Sequence, residues 1–320
     1  MVTKPPSVSR HLLARTHRLV YGVPPLESLM MPLTLFALVA CTALKGLLDD
    51  TAGDTASDTA ADADTDTDTD TDTDTDAEPT WSYEGETGPE YWGELSEEWA
   101  ACSTGTMQSP IDFLTEDLVY ADKAPPTYAW GTTTLNAYNS GHYIRYEVDA
   151  GSTMTLDGVV YDLDQFHFHG QAEHTLDGTR FDGEIHFVHT GQEDPTKLAV
   201  VAVFIDDEGD LTDASTALSP DGELLFTQAL ALAESEETTA LGASVDLGAT
   251  FGALIAEPPL HYTGSLTTPP CTEGVEFFFP ARVLPVPTAD IDALHAVYDF
   301  NYRPVQALNG RTVEYFVPPM

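Results

Sequence analysis

Residues 165 to 189 read QFHFHGQAEHTLDGTRFDGEIHFVH, and polar and apolar positions alternate with a period of two at both ends of the stretch. In an extended strand alternate side chains share a face, so Gln165, His167 and His169 line one side and Phe166 and Phe168 the other. A turn rich in Gly, Asp and Thr follows. Beyond it Glu184, His186 and Val188 repeat the alternation against Ile185 and Phe187, as a neighbouring antiparallel strand would. The pattern therefore predicts that His167, His169 and His186 converge.

Other alternating or aromatic-rich stretches cover 142 to 148, 153 to 168, 183 to 189, 197 to 206 and 275 to 282, separated by Gly, Asp, Asn and Pro. Helical patterns are confined to about 223 to 235 and 288 to 299. The domain is expected to be β-dominated, with a few peripheral helices.

The first part of the chain breaks this pattern. Residues 29 to 41, LMMPLTLFALVAC, form an apolar run behind Arg10, Arg15 and Arg18. It is too short to span a bilayer and suits the apolar region of an export signal. Its end, Leu38-Val39-Ala40-Cys41, resembles a bacterial lipobox with Cys41 as the acylated residue; ordinary signal cleavage nearby is the rival. Met30 or Met31 is an alternative start, since the apolar run lies far from Met1. From Asp49 to Glu78 the chain is Thr, Asp and Ala ending in a Thr-Asp repeat. Such a run has no apolar surface to offset ordering entropy and its charges repel, which predicts an extended disordered tether. Calcium binding by it is a weaker reading, because so simple a repeat offers no fixed cage. The expected division is thus 1–41 leader, 42–78 tether and 79–320 globular domain.

Charge narrows the partners. The formal net charge is −41, and from residue 81 onward 39 acidic residues face seven Lys and Arg. Such a domain has no basic footprint for nucleic acid, and membrane contact is expected only through the N-terminal anchor. The acid excess also suits a salty habitat. The three cysteines, Cys41, Cys102 and Cys271, show no C-x-x-C spacing and so no thiolate zinc site, although two of them could pair.

Three histidines from two adjacent strands, with no cysteine or carboxylate ligand beside them, suit a tetrahedral zinc ion with one position left open for water, which is a catalytic arrangement. The alternative is a polar sheet face whose histidines are simply hydrogen-bonded.

The strings W-x-Y, GPEYW, QSPIDF, GHYIRYEV, QFHFHGQAEHTLDG, EIHFVH, GSLTTPPC and FNYRPVQ, in that order from Trp81 to Phe316, resemble the alpha-class carbonic anhydrases of bacterial secreted type. The resemblance implies a large, twisted, mostly antiparallel sheet with a conical zinc cleft. It also implies reversible hydration of carbon dioxide to bicarbonate and a proton, by attack of a zinc-activated hydroxide. His167, His169 and His186 match the zinc ligands, while Gln165, Glu184 and the backbone carbonyl of Asn301 match the groups that hold their outer nitrogens. Thr267 and Glu173 match a pair in which the threonine donates its proton to the glutamate and orients the nucleophile. Thr268 matches a contact to bicarbonate, and Val188, Val200, Leu266 and Phe277 match the wall of the carbon dioxide pocket. His142 matches the proton shuttle, with Tyr83 supporting the water chain. His174 and Tyr262 look like a buried structural pair. Cys102 and Cys271 match the disulfide of secreted relatives.

Three positions depart from the pattern. Gly170 follows the H-F-H motif, Phe277 stands where many relatives carry tryptophan, and Arg145 faces the cleft where a neutral amide is common. They bear on rate and inhibitor profile rather than reaction type. Two competing functions remain at this point: a binding module on the same scaffold, against which the intact histidines argue, and a zinc esterase. Oligomeric state is left open, with a dimer among the options, and the protein is expected to be exported and membrane-tethered.

Overall fold

The strand Leu198–Asp207 explains how the fold is layered, because its side chains are buried on both faces. In the computed structural model, which describes residues 80–207, 225, 232–235, 237–298 and 300–317, Val201, Val203 and Ile205 enter one apolar cluster. Val200, Ala202 and Phe204 enter a second on the opposite face. A continuous apolar run of this kind marks an interior strand covered on both sides. Each phenylalanine buried in these layers contributes roughly 1.5–3 kcal/mol relative to exposure.

This strand lies inside a 13-stranded sheet among the described residues. The path runs from Thr239–Asp246 through Thr132–Asn139, Ile144–Glu147, Val159–Gly170, Gly183–Gly191, Leu198–Asp207, Glu273–Pro280, Pro259–Ser265 and Glu314–Val317 to Val119–Asp122. Pairing along it is antiparallel except where Leu198–Asp207 meets Glu273–Pro280 and where Glu314–Val317 meets Val119–Asp122. The β-dominated, mostly antiparallel expectation is met.

The stretch 153 to 168 is two strands rather than one, Thr153–Leu156 and Val159–Gly170, paired as a hairpin. Asp157 and Gly158 both take positive φ, 49° and 82°, as a tight two-residue turn requires. Of the two expected helices, 288 to 299 appears as Thr288–Val297. The other, 223 to 235, falls mostly outside the described residues, as do the leader and the tether. A helix not expected from the sequence, Leu247–Ile255, buries Leu247, Phe251, Leu254 and Ile255, and Asp246 caps it by accepting from the Ala249 N–H at 2.9 Å. Its two glycines and lack of a charged face hid the period.

Register fixes which face carries chemistry. His186 stands opposite His167 on one side and Ala202 on the other, while Val188 stands opposite Val200. The histidines therefore share the face of the second cluster, and Phe166, Phe168, Ile185 and Phe187 anchor the other.

Candidate active site

His167, His169 and His186 are all buried, with ring centroids 5.1 Å apart for His167 and His169, 5.2 Å for His167 and His186, and 4.7 Å for His169 and His186. One nitrogen of each lies within 4.8 Å of the others. The remaining nitrogens are held from outside. His167 Nδ1 meets Gln165 Oε1 at 2.9 Å, His169 Nδ1 donates to the Asn301 carbonyl at 2.7 Å, and His186 Nε2 donates to Glu184 Oε1 at 2.5 Å. A carbonyl or carboxylate oxygen only accepts, so these bonds fix the tautomers and turn Nε2, Nε2 and Nδ1 inward. His169 Nε2 is buried with no hydrogen-bond partner among the described residues.

Burial, with the charges of His169, His186 and Arg145 added, holds His167 well below the usual imidazole range, and burial likewise lowers His169. For His186 burial acts the same way, but the hydrogen bond and charge of Glu184 and the charge of Glu173 together outweigh it and raise the ring. A buried set of three imidazoles, one with an orphaned inward nitrogen, is a donor set that fits zinc.

Glu184 is no partner of a nearby cation. Arg180 instead donates to the carbonyls of Ala172 and Glu173 and stacks 4.0 Å over Tyr302. Glu184 accepts from the His174 backbone N–H at 3.0 Å and from His174 Nδ1 at 2.8 Å as well as from His186. Burial alone would raise its pKa; the two histidines outweigh this and hold it well below the carboxylate range. Proton counting continues outward. With His174 Nδ1 donating, Nε2 accepts from the Tyr262 hydroxyl at 2.6 Å. Tyr262 in turn accepts from Ser109 Oγ at 2.7 Å, and Ser109 Oγ accepts from the Ser265 N–H at 3.0 Å. His174 and Tyr262 are thus joined, and Ser109 and Ser265 extend a chain the sequence did not reveal.

Glu173 is fully buried beside the triad. Its Oε1 accepts the Arg303 backbone N–H at 2.9 Å, and its Oε2 lies 3.4 Å from His169 Nε2 and 4.0 Å from His186 Nδ1. That Oε2 has no hydrogen-bond partner among the described residues, so the bond from Thr267 that the resemblance implies is not made here. Thr267 itself is buried in the loop after Pro259–Ser265, where the Leu266 N–H donates to Thr272 O at 2.9 Å and the Cys271 N–H to Thr268 O at 2.8 Å. A disulfide joins Cys271 to Cys102. The fully buried guanidinium of Arg303 ties this region together by donating to Gln108 Oε1, Ser109 O and Cys102 O, each at 2.8 Å. The sequence carried Arg303 inside the FNYRPVQ string but offered no role for it.

The apolar wall is contiguous. Val200 and Phe277 are buried in the second cluster, with Val188 and Leu266 packed against it, and Phe277 lies 6.0 Å from the His186 ring. Thr268 is half-buried beside Thr267. His142 stacks on Trp81 at 3.9 Å with planes 11° apart, and Tyr83 meets it edge-on at 6.4 Å with a buried, unpartnered hydroxyl. Partial burial lowers the His142 pKa, against the opposing charge of Glu234.

The departures have structural reasons. A Cβ on Gly170 would meet the Tyr298 carbonyl oxygen at 1.7 Å, so no side chain fits there. Phe277 stacks on Tyr262 at 5.2 Å with planes 13° apart. Arg145 stands opposite His167 in the ladder and pairs with Glu147 at 2.7 Å. Next to it the Tyr143 ring lies 4.8 Å from the His167 ring.

With this geometry in view, comparison with known proteins is direct. Residues 87–317 match the family model described as eukaryotic-type carbonic anhydrase. A carbonic anhydrase of Klebsiella pneumoniae is 35% identical over 236 residues, 73% of this chain and 89% of that protein. Alpha carbonic anhydrase 7 of Arabidopsis thaliana is 35% identical over 241 residues, covering 73% and 82%. The solved alpha-carbonic anhydrase of Thermovibrio ammonificans, in complex with the inhibitor sulfanilamide, superposes with a TM-score of 0.65 at 32% identity over 74% of this chain and 99% of that one. The chain belongs to the alpha-carbonic anhydrase family, lyases that hydrate carbon dioxide.

Proposed function

We propose that residues 79–320 form a zinc enzyme that interconverts carbon dioxide and bicarbonate and passes the product proton through His142. The observation that carries the reading is the convergence of three buried imidazoles whose outer nitrogens are each held by a separate acceptor. His167 and His169 would hold the ion through Nε2 and His186 through Nδ1. Zinc, when bound, supplies acidification of water, making hydroxide available near neutral pH.

This chain's residues do the rest. Gln165, Asn301 and Glu184 keep the three ligands in their metal-binding tautomers. Val188, Val200, Leu266 and Phe277 offer a dry surface for carbon dioxide, and Thr268 a hydroxyl for the bicarbonate that forms. Thr267, buried in the loop after Pro259–Ser265, would orient the attacking oxygen. His142 lies partly exposed and can take a proton arriving through water near Tyr83 and release it to buffer.

Purified residues 79–320 should contain one zinc per chain and hydrate carbon dioxide with activity rising through about pH 7. Replacing His167, His169 and His186 together by alanine should abolish metal content and activity; a triple variant with full activity would sink the assignment. Measuring ester cleavage alongside hydration separates this reading from a zinc esterase.

The N-terminal segment adds location. Cys41 as a lipidated residue and 42–78 as a tether would hold the exported enzyme away from a membrane, its 30-residue acidic run from Asp49 to Glu78 alone spanning about 30 Å by random-coil scaling. Cys41→Ser expressed in a bacterial host should move the protein out of the membrane fraction, and unchanged retention would argue against the anchor.

A further inference from the structure

We propose that Arg145 forms an anion-receiving subsite at the triad, one that draws bicarbonate and other small monovalent anions into the cleft of a strongly anionic protein. The proposal rests on the carbonic anhydrase reading above.

The starting point is an electrostatic conflict. The chain carries a net charge of −41, yet bicarbonate must enter and leave as an anion. Long-range repulsion lowers its concentration at the cleft, and a fixed side-chain cation there would add to the charge of the bound metal in opposing that field. Among the seven basic residues after residue 80, several are engaged elsewhere. Arg303 and Arg311 donate to buried or part-buried backbone carbonyls, Arg180 to the Ala172 and Glu173 carbonyls, and Lys123 pairs with Glu314. Arg145 is different in placement. It is the direct cross-strand neighbour of His167, so its side chain leaves the sheet on the face that carries the three imidazoles.

Its surroundings hold the guanidinium without using it up. Glu147 takes Nη2 at 2.7 Å, and that carboxylate is itself 37% exposed and so screened by water. The Tyr138 ring lies 5.3 Å from the guanidinium carbon, and Tyr143, whose ring is 4.8 Å from that of His167, also neighbours Arg145. Nε is buried with no hydrogen-bond partner among the described residues. An arginine keeps its charge at any working pH, so what it offers a small anion here is a fixed positive charge on the face of the triad. A neutral amide at this position could donate to an anion but would not offset the field.

The test is equilibrium binding of thiocyanate to the zinc-loaded enzyme by calorimetry at low ionic strength, beside carbon dioxide hydration by the same preparations. Arg145→Gln should weaken thiocyanate about fivefold, the scale expected of one unit charge several ångströms away in a part-solvated cleft. Arg145→Lys should stay within about twofold of wild type, since thiocyanate reads the charge and Lys keeps it. Glu147→Gln, which removes the opposing carboxylate, should tighten thiocyanate about twofold. An active wild type whose thiocyanate affinity is unchanged by Arg145→Gln, or equally weakened by Arg145→Lys, overturns the subsite and leaves the enzyme reading standing. A zinc-free or inactive wild type overturns the enzyme reading itself, and the subsite with it.

Discussion

His169 Nδ1 donates to the backbone carbonyl of Asn301 at 2.7 Å, across a sequence separation of 132 residues. Because the acceptor is backbone, replacing the Asn301 side chain does not remove it. The side chain does other work: Oδ1 accepts from the Gly170 N–H at 2.6 Å, and Nδ2 donates to His142 O at 3.0 Å and Phe168 O at 3.3 Å. Asn301→Ala removes these bonds, the one to the buried Gly170 N–H among them, and should destabilise the domain by about 1–3 kcal/mol. The effect on zinc affinity should be smaller, up to about tenfold, through loosening of the carbonyl. Urea denaturation of the apo and zinc-loaded forms separates the two.

Replacement of His142 should act on proton export. The imidazole sits partly exposed and stacked on Trp81, with burial lowering its pKa from the ordinary value. A proton acceptor of matched pKa contributes about 10²–10⁴-fold in favourable cases. His142→Ala should lower kcat in weak buffer by at least about tenfold, far more than kcat/KM, which reports attack on carbon dioxide. Added imidazole should restore much of the loss. Wild-type turnover by the variant at low buffer would place proton export elsewhere.

The Cys102–Cys271 bond closes a loop with a sequence separation of 169 residues. Chain-entropy arithmetic for such a loop gives about 5 kcal/mol as an upper figure. The bond also ties the Thr267 loop to the segment gripped by Arg303. Replacing both cysteines by serine should lower the free energy of unfolding by about 2–5 kcal/mol and reduce activity before global unfolding. Thiol titration of the unfolded, unreduced domain should find neither of these cysteines free.

His189 gives the fold a pH dependence of its own. Burial beside Trp130 lowers its pKa to about 4, opposed only in part by the hydrogen bond of Nδ1 to the Phe187 carbonyl at 2.9 Å. Its folded pKa lies below the unfolded value of about 6.5, so the unfolded chain binds the proton more tightly. The stabilising effect of keeping this ring neutral is complete above about pH 6.5 and is lost as pH falls through 4. The shift corresponds to roughly 3 kcal/mol. His189→Gln should therefore flatten the fall in unfolding free energy between pH 7 and 4.5, measured by urea titration. Equal slopes for variant and wild type would exclude His189 as the cause.

Period-two alternation was enough to put His167, His169 and His186 on one face, because side-chain direction along a strand is a local property of the backbone. The same reasoning placed Gln165 and Glu184 beside their histidines, two residues away on the same strands. The long-range contacts were beyond it. The acceptor for His169 is a carbonyl, which has no identity in sequence, and it arrives from 132 residues away. Glu184 is shared by His174 only because the turn after Gly170 folds back, and Arg303 reaches Cys102 across 201 residues. The need for glycine at 170 comes from the Tyr298 carbonyl, which occupies the space a Cβ would take. Sequence determines what each residue can donate, accept or bury; which groups meet across a hundred or more residues is decided by sheet register and packing, where a one-residue slip would turn every histidine to the opposite face.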